Sequence, residues 1–73
     1  MILPGGPCRI YLATRPVDFR KGHAGLSLIV QEGLGHDPFS GTIFVFRSKR
    51  GDAMKCLVWD QKGLVMVYKK LEG

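Results

Sequence analysis

Between Thr42 and Leu71 three apolar runs alternate with two short polar turns. Thr42-Ile43-Phe44-Val45-Phe46-Arg47 leads into Ser48-Lys49-Arg50-Gly51-Asp52. Ala53-Met54-Lys55-Cys56-Leu57-Val58-Trp59 follows, then Asp60-Gln61-Lys62-Gly63, then Leu64-Val65-Met66-Val67-Tyr68-Lys69-Lys70-Leu71. β-Branched and aromatic runs punctuated by glycine-bearing turns predict a three-stranded antiparallel meander. If the loops Ser48–Asp52 and Asp60–Gly63 close hairpins, Phe46 lies opposite Met54, Phe44 opposite Cys56, Cys56 opposite Val67 and Val58 opposite Val65. One face then carries Phe44, Phe46, Met54, Cys56, Val58, Val65 and Val67, and is expected to be the core face. The other face mixes Ile43, Val45, Leu57, Trp59, Leu64, Met66 and Tyr68 with Arg47, Lys55 and Lys70. A slip of one residue in the middle strand would exchange the faces along it.

Upstream, Cys8-Arg9-Ile10-Tyr11-Leu12-Ala13 alternates Ile10 and Leu12 against Arg9 and Tyr11, which predicts a fourth strand burying Ile10 and Leu12. Its partner edge is open. Thr14-Arg15-Pro16 breaks that strand, because proline fixes φ and restricts the residue before it. In Val17-Asp18-Phe19-Arg20-Lys21-Gly22, Asp18 can accept backbone N–H groups and cap a turn. From His23 to about Glu32, Leu26, Ile29 and Val30, followed by Leu34, form the stripe of an amphipathic helix. Gly33 and Gly35 supply its stop. The stripe should lie on the core face of the meander, with Phe39 tucked beneath the helix. Residues 1 to 7, with two prolines and two glycines, read as an irregular lead-in. The expected fold is α+β: one domain, a small and mostly antiparallel sheet with one helix packed on it.

Composition adds a partner class. Lys and Arg number 11 against six Asp and Glu, a formal net charge of +5, which favours polyanions, nucleic acid first. Chain direction sharpens this, since Arg47, Lys49, Arg50, Lys55, Lys69 and Lys70 converge at one end of the sheet. Arg20 and Lys21 form a second cluster beside Asp18. Each group has two open readings: the sheet-end cations are a site for phosphates or charges that keep the protein soluble and discourage edge pairing, and the Arg20 cluster is a phosphate nest or a capped, solvated turn. Trp59 and Tyr68, near Lys55 and Lys70, could stack bases. Together with Leu57 and Met66 they could equally form a protein interface, covered by a second copy or by further chain.

Chemistry of other kinds finds little support. Asp52 and Asp60 sit in opposite turns, roughly 20 Å apart by strand rise, too far to share a metal. There is no dinucleotide fingerprint, no phosphate-binding loop and no nucleophile elbow, so no cofactor is expected. Two cysteines and two histidines lack the spacing of a zinc site, and both thiols are expected to be reduced. His36 beside Asp37, or His23, could serve a small ribonuclease, the weakest of the three functional classes weighed. No apolar run spans a bilayer and no secretory signal is seen, so a cytoplasmic chain without membrane contact is expected.

The motifs Asp18-Phe19-Arg20-Lys21-Gly22, Asp37-Pro38-Phe39-Ser40-Gly41, Phe44-Val45-Phe46 and Arg50-Gly51-Asp52 occur in that order. Lys55, Trp59-Asp60, Gly63-Leu64 and Tyr68-Lys69-Lys70-Leu71-Glu72 complete the series. Together they closely resemble the Orf2-like (TnpB) accessory proteins of IS66-type bacterial insertion sequences, which are distinct from the RNA-guided nucleases sharing that name. The resemblance implies a role in DNA transposition beside a larger transposase that carries the acidic catalytic residues. It supplies no catalytic residue. It also implies a longer family domain, of which residues 1 to 73 would be the N-terminal part. The resulting expectation is a non-enzymatic transposition factor that contacts DNA through Arg20, Lys21, Arg47, Lys49, Arg50, Lys55, Lys69 and Lys70. Its alternative is an interaction module that dimerises or binds the transposase through Leu57, Trp59, Met66 and Tyr68.

Overall fold

The structure, a computed structural model, describes residues 9–72. Cys8 and the lead-in lie outside the described residues. Four strands form one sheet in the order β1 (Ile10–Leu12), β2 (Ile43–Arg47), β3 (Ala53–Trp59), β4 (Leu64–Lys70). The last three are the expected antiparallel meander. β1 settles on the free edge of β2 and runs parallel to it, with Ile10 opposite Ile43 and Leu12 opposite Val45. A parallel neighbour requires a crossover, and the helical segment supplies it. The chain stays on β2 beyond β1: the Ala13 N–H donates to the Val45 carbonyl and the Val17 N–H to that of Arg47.

Helix α1 (His23–Leu28) passes directly into a π-helical stretch, Ile29–Gly33, where the Leu34 N–H reaches back to the Ile29 carbonyl at 3.0 Å. Gly35 follows with φ +68, the left-handed geometry that glycine accepts without cost. The stripe falls where the spacing predicts. Leu26 and Val30 are fully buried against Phe44, Phe46 and Leu57, with Ile29 and Leu34 half-buried beside them.

The face of the sheet that meets the helix differs from expectation in two strands. Ser48 belongs to the ladder, not to the loop. Its N–H donates to the Ala53 carbonyl at 3.0 Å, and its hydroxyl accepts the Ala53 N–H while donating to the Asp52 carboxylate. Gly51, at φ +74, closes the turn by donating to the Ser48 carbonyl. The loop is thus Lys49–Asp52, one residue shorter than expected, and β3 shifts by one position. Phe46 lies opposite Lys55, and Phe44 opposite Leu57. The second turn closes as predicted, with Cys56 opposite Val67 and Val58 opposite Val65, so β4 moves with β3. The helix therefore covers Phe44, Phe46, Leu57, Leu64 and Met66, while Met54, Cys56, Val58, Val65 and Val67 face the opposite side.

Two further expectations fail on the same geometry. On β1, Tyr11 turns inward against Phe44 and His36, leaving Ile10 and Leu12 more than 60% exposed. Phe39 is exposed rather than tucked beneath the helix, and packs edge-on against Trp59 at 5.2 Å.

Candidate nucleic-acid interface

The turn end of the sheet is assembled from two loops, and one buried lysine ties the first of them to β3. Lys55 projects from β3 towards the helix side and is only 6% exposed. Its ammonium donates to the carbonyl oxygens of Phe19 at 2.7 Å and Lys21 at 3.1 Å, and lies over the rings of Phe19 and Tyr68. A buried cation is tolerated where its donors are satisfied, and two carbonyls with two aromatic faces do that here. The segment 18–22 is thereby pinned onto the sheet end. Lys55 belongs to the scaffold, which removes it from the cations that can face a phosphate.

The pinned loop places Arg20 beside the β2–β3 turn. A concavity of about 260 Å³ is lined by Asp18 and Arg20 from the loop and by Lys49 and Arg50 from the turn, with the hydrogen-bonded Ser48 and Asp52 pair beside them. The two cation clusters that the sequence separates by nearly thirty positions thus form a single surface. Asp18 shapes it. Its carboxylate accepts the Arg20 backbone N–H at 2.9 Å, Nε at 3.1 Å and Nη2 at 2.7 Å. The Arg20 side chain and then its backbone N–H hold the Asp18 carboxyl far below the usual carboxylate range, and Asp18 in turn raises the guanidinium. Asp18 therefore acts as a turn acceptor and an arginine partner. The helix begins later, at His23, and Gly22 at its N-cap offers no side-chain acceptor.

The remaining cations divide between the two faces of the sheet. Lys70 lies opposite Ala53, on the side of the pinned loop, and Lys21 is exposed within that loop. Arg47 and Lys69 flank Met54 in one cross-strand row on the far face, and both are exposed. So of the cations expected to converge at one sheet end, Lys49, Arg50 and Lys70 stand on one side, where Arg20 joins them, and Arg47 and Lys69 on the other. Among the described residues Arg20 with Asp18 is the one ion pair. Cations without such partners are free to pair with phosphate oxygens, and Lys49, Arg50 and Lys70 meet that condition.

The residues expected to form an apolar interface are dispersed. Leu57 is fully buried in the core, and Met66 packs against that core under the helix. Trp59 is half-buried beside Phe39, whereas Tyr68 is 56% exposed with its ring edge-on to Phe19. The one-residue shift of β3 explains this, because the helix occupies the face on which these side chains stand. Cys56, a core residue by expectation, sits half-buried on the far face as a free thiol, and burial raises its pKa. His36 is taken up in ring contacts with Tyr11 at 4.6 Å and Phe44 at 6.1 Å. No helix among the described residues is long and apolar enough to cross a membrane.

The role of Phe19 and Tyr68 in seating Lys55 was not read from the sequence. The available signal was that a lone lysine interrupts an apolar strand directly opposite an aromatic residue of the next one.

Comparison with known proteins places this architecture. The family described as IS66 Orf2 like protein matches residues 8–73. A Sinorhizobium fredii sequence carried as "Uncharacterized protein y4jC" is 49% identical over the whole of this chain, which spans 62% of that protein's length. A second from the same organism, "Uncharacterized protein y4hO", is 38% identical over 97% of the chain and 63% of its own length. The chain thus spans a little over three-fifths of these relatives. No solved structure matches it. On a family match running from Cys8 to the last residue, the chain belongs to the IS66 Orf2-like family.

Proposed function

We propose that this chain serves as a non-enzymatic accessory factor in the transposition of an insertion sequence. In this role it binds DNA, or bridges DNA and the transposase of the same element, through the basic end of its sheet. The observation that carries the reading is the meeting of Arg20, Lys49 and Arg50 around one concavity, with Lys70 on the adjoining strand end. The net charge of +5 draws a polyanion towards the chain, and the unpartnered lysines and arginine supply contacts to its backbone. Family membership supplies the setting, the mobile element.

Reversing two of these charges tests the surface. An Arg50→Glu, Lys70→Glu variant is expected to bind duplex DNA roughly tenfold or more weakly in fluorescence anisotropy, and to lose about one unit of salt slope per cation removed. Both positions are exposed, so the fold should persist. Equal affinity in parent and variant would return these cations to a solubilising role. The chain would then be a pairing module that meets a second copy or the transposase without touching DNA.

A further inference from the structure

Arg20 is held unlike any other cation on this surface. Building on the DNA-binding reading above, we infer that Arg20 reads a guanine in the major groove while Lys49 and Arg50 hold the neighbouring phosphates. The backbone on both sides of Arg20 is fixed, because the buried Lys55 ammonium binds the carbonyls of Phe19 and Lys21. The side chain is oriented by an acceptor two residues away. Asp18 takes the Nε and Nη2 edge of the guanidinium, yet the side chain remains 92% exposed. A planar guanidinium carries a second pair of parallel N–H groups on its Nη1 and Nη2 edge, and the carboxylate leaves that pair free. Two parallel donors fit the O6 and N7 acceptors of guanine.

Charge decides between base and phosphate. Asp18 cancels the Arg20 charge and places a carboxylate beside it, which weakens attraction to a phosphate and repels its oxygens. The edge of guanine is uncharged and pays no such penalty. Arg20 thus keeps its donors within an ion pair of zero net charge, the combination that serves reading rather than clamping. Lys49 and Arg50 line the same concavity with no carboxylate at ion-pair distance among the described residues.

The test is selection from a pool of random-sequence duplexes, followed by anisotropy on the enriched duplex and on a copy carrying 7-deazaguanine, which lacks the N7 acceptor. The parent is expected to enrich a position fixed as guanine and to lose roughly tenfold in affinity on the substituted copy. Arg20→Lys keeps the charge but not the planar fork, so its affinity for unselected duplex should be retained while the guanine preference falls to near unity. Asp18→Asn removes a negative charge and the support of Arg20. Its affinity for every duplex should rise as its preference falls. Binding without guanine preference in the parent, or a preference that survives Arg20→Lys, overturns this inference and leaves the DNA-binding reading standing. No binding of any duplex overturns both.

Discussion

Leu57→Ala should lower the unfolding free energy by about 3 kcal/mol, whereas Cys56→Ala, one position earlier, should cost less than about 1 kcal/mol. Leu57 is fully buried among Leu26, Val30, Phe44 and Phe46, so truncation loses its transfer free energy and leaves a cavity between helix and sheet. Cys56 is half-buried on the far face and loses one partly exposed sulfur. Urea denaturation reads the difference as a shift of midpoint at constant slope. The contrast tests which face of β3 the helix covers. Equal costs, or a larger cost at Cys56, would restore the five-residue loop and the opposite register.

Lys55→Met should be nearly as damaging, lowering the melting temperature by more than about 10 °C. Methionine can occupy the path of the aliphatic stem, so the loss concentrates on the ammonium. Its removal leaves the partly buried Phe19 and Lys21 carbonyls without their donor and takes a cation from the faces of Phe19 and Tyr68. Orphaning a buried acceptor costs about 1–3 kcal/mol, and each kcal/mol moves the melting point of a domain this small by about 4–8 °C. Calorimetry measures the shift. An unchanged melting point would mean that the ammonium is not seated on the two carbonyls. Lys55→Arg should also lose stability, since a planar guanidinium cannot reproduce a compact ammonium between them.

The parts of this fold that were legible in the sequence are those written in strong, redundant patterns. The meander was marked by three β-rich runs with turn residues between them. The helix was marked by Leu26, Ile29, Val30 and Leu34, all of which meet the core. What escaped depended on single side chains. Ser48 looks like a loop residue, yet its hydroxyl substitutes for a backbone partner and lets it join the ladder. Because the side-chain period of a strand is two, that one residue decided which face of β3 and β4 was buried. Ile10 and Leu12 are the apolar alternation of β1 and point inward by pattern, but Tyr11 offers the larger surface and meets Phe44 and His36 instead.

The site followed the same division. Convergence of cations at one sheet end came from chain direction alone and does not depend on register. The pairing of Arg20 with Lys49 and Arg50 came from the crossover that lays residues 17–20 beside the turn, through the parallel bridge between Val17 and Ser48. Lys55 could not be told from its exposed neighbours by composition. Only its position opposite Tyr68 and beneath two carbonyls separates the lysine that builds the surface from those that present it.

The measurement that bears most directly on the whole account is the affinity of this chain for duplex DNA, followed by anisotropy across a salt series. If Lys49, Arg50 and Lys70 each neutralise a phosphate, log affinity should fall linearly with log salt with a slope of roughly −3, at about −0.9 per phosphate. A slope near zero, or no binding at low salt, would contradict the assignment of the basic sheet end to DNA.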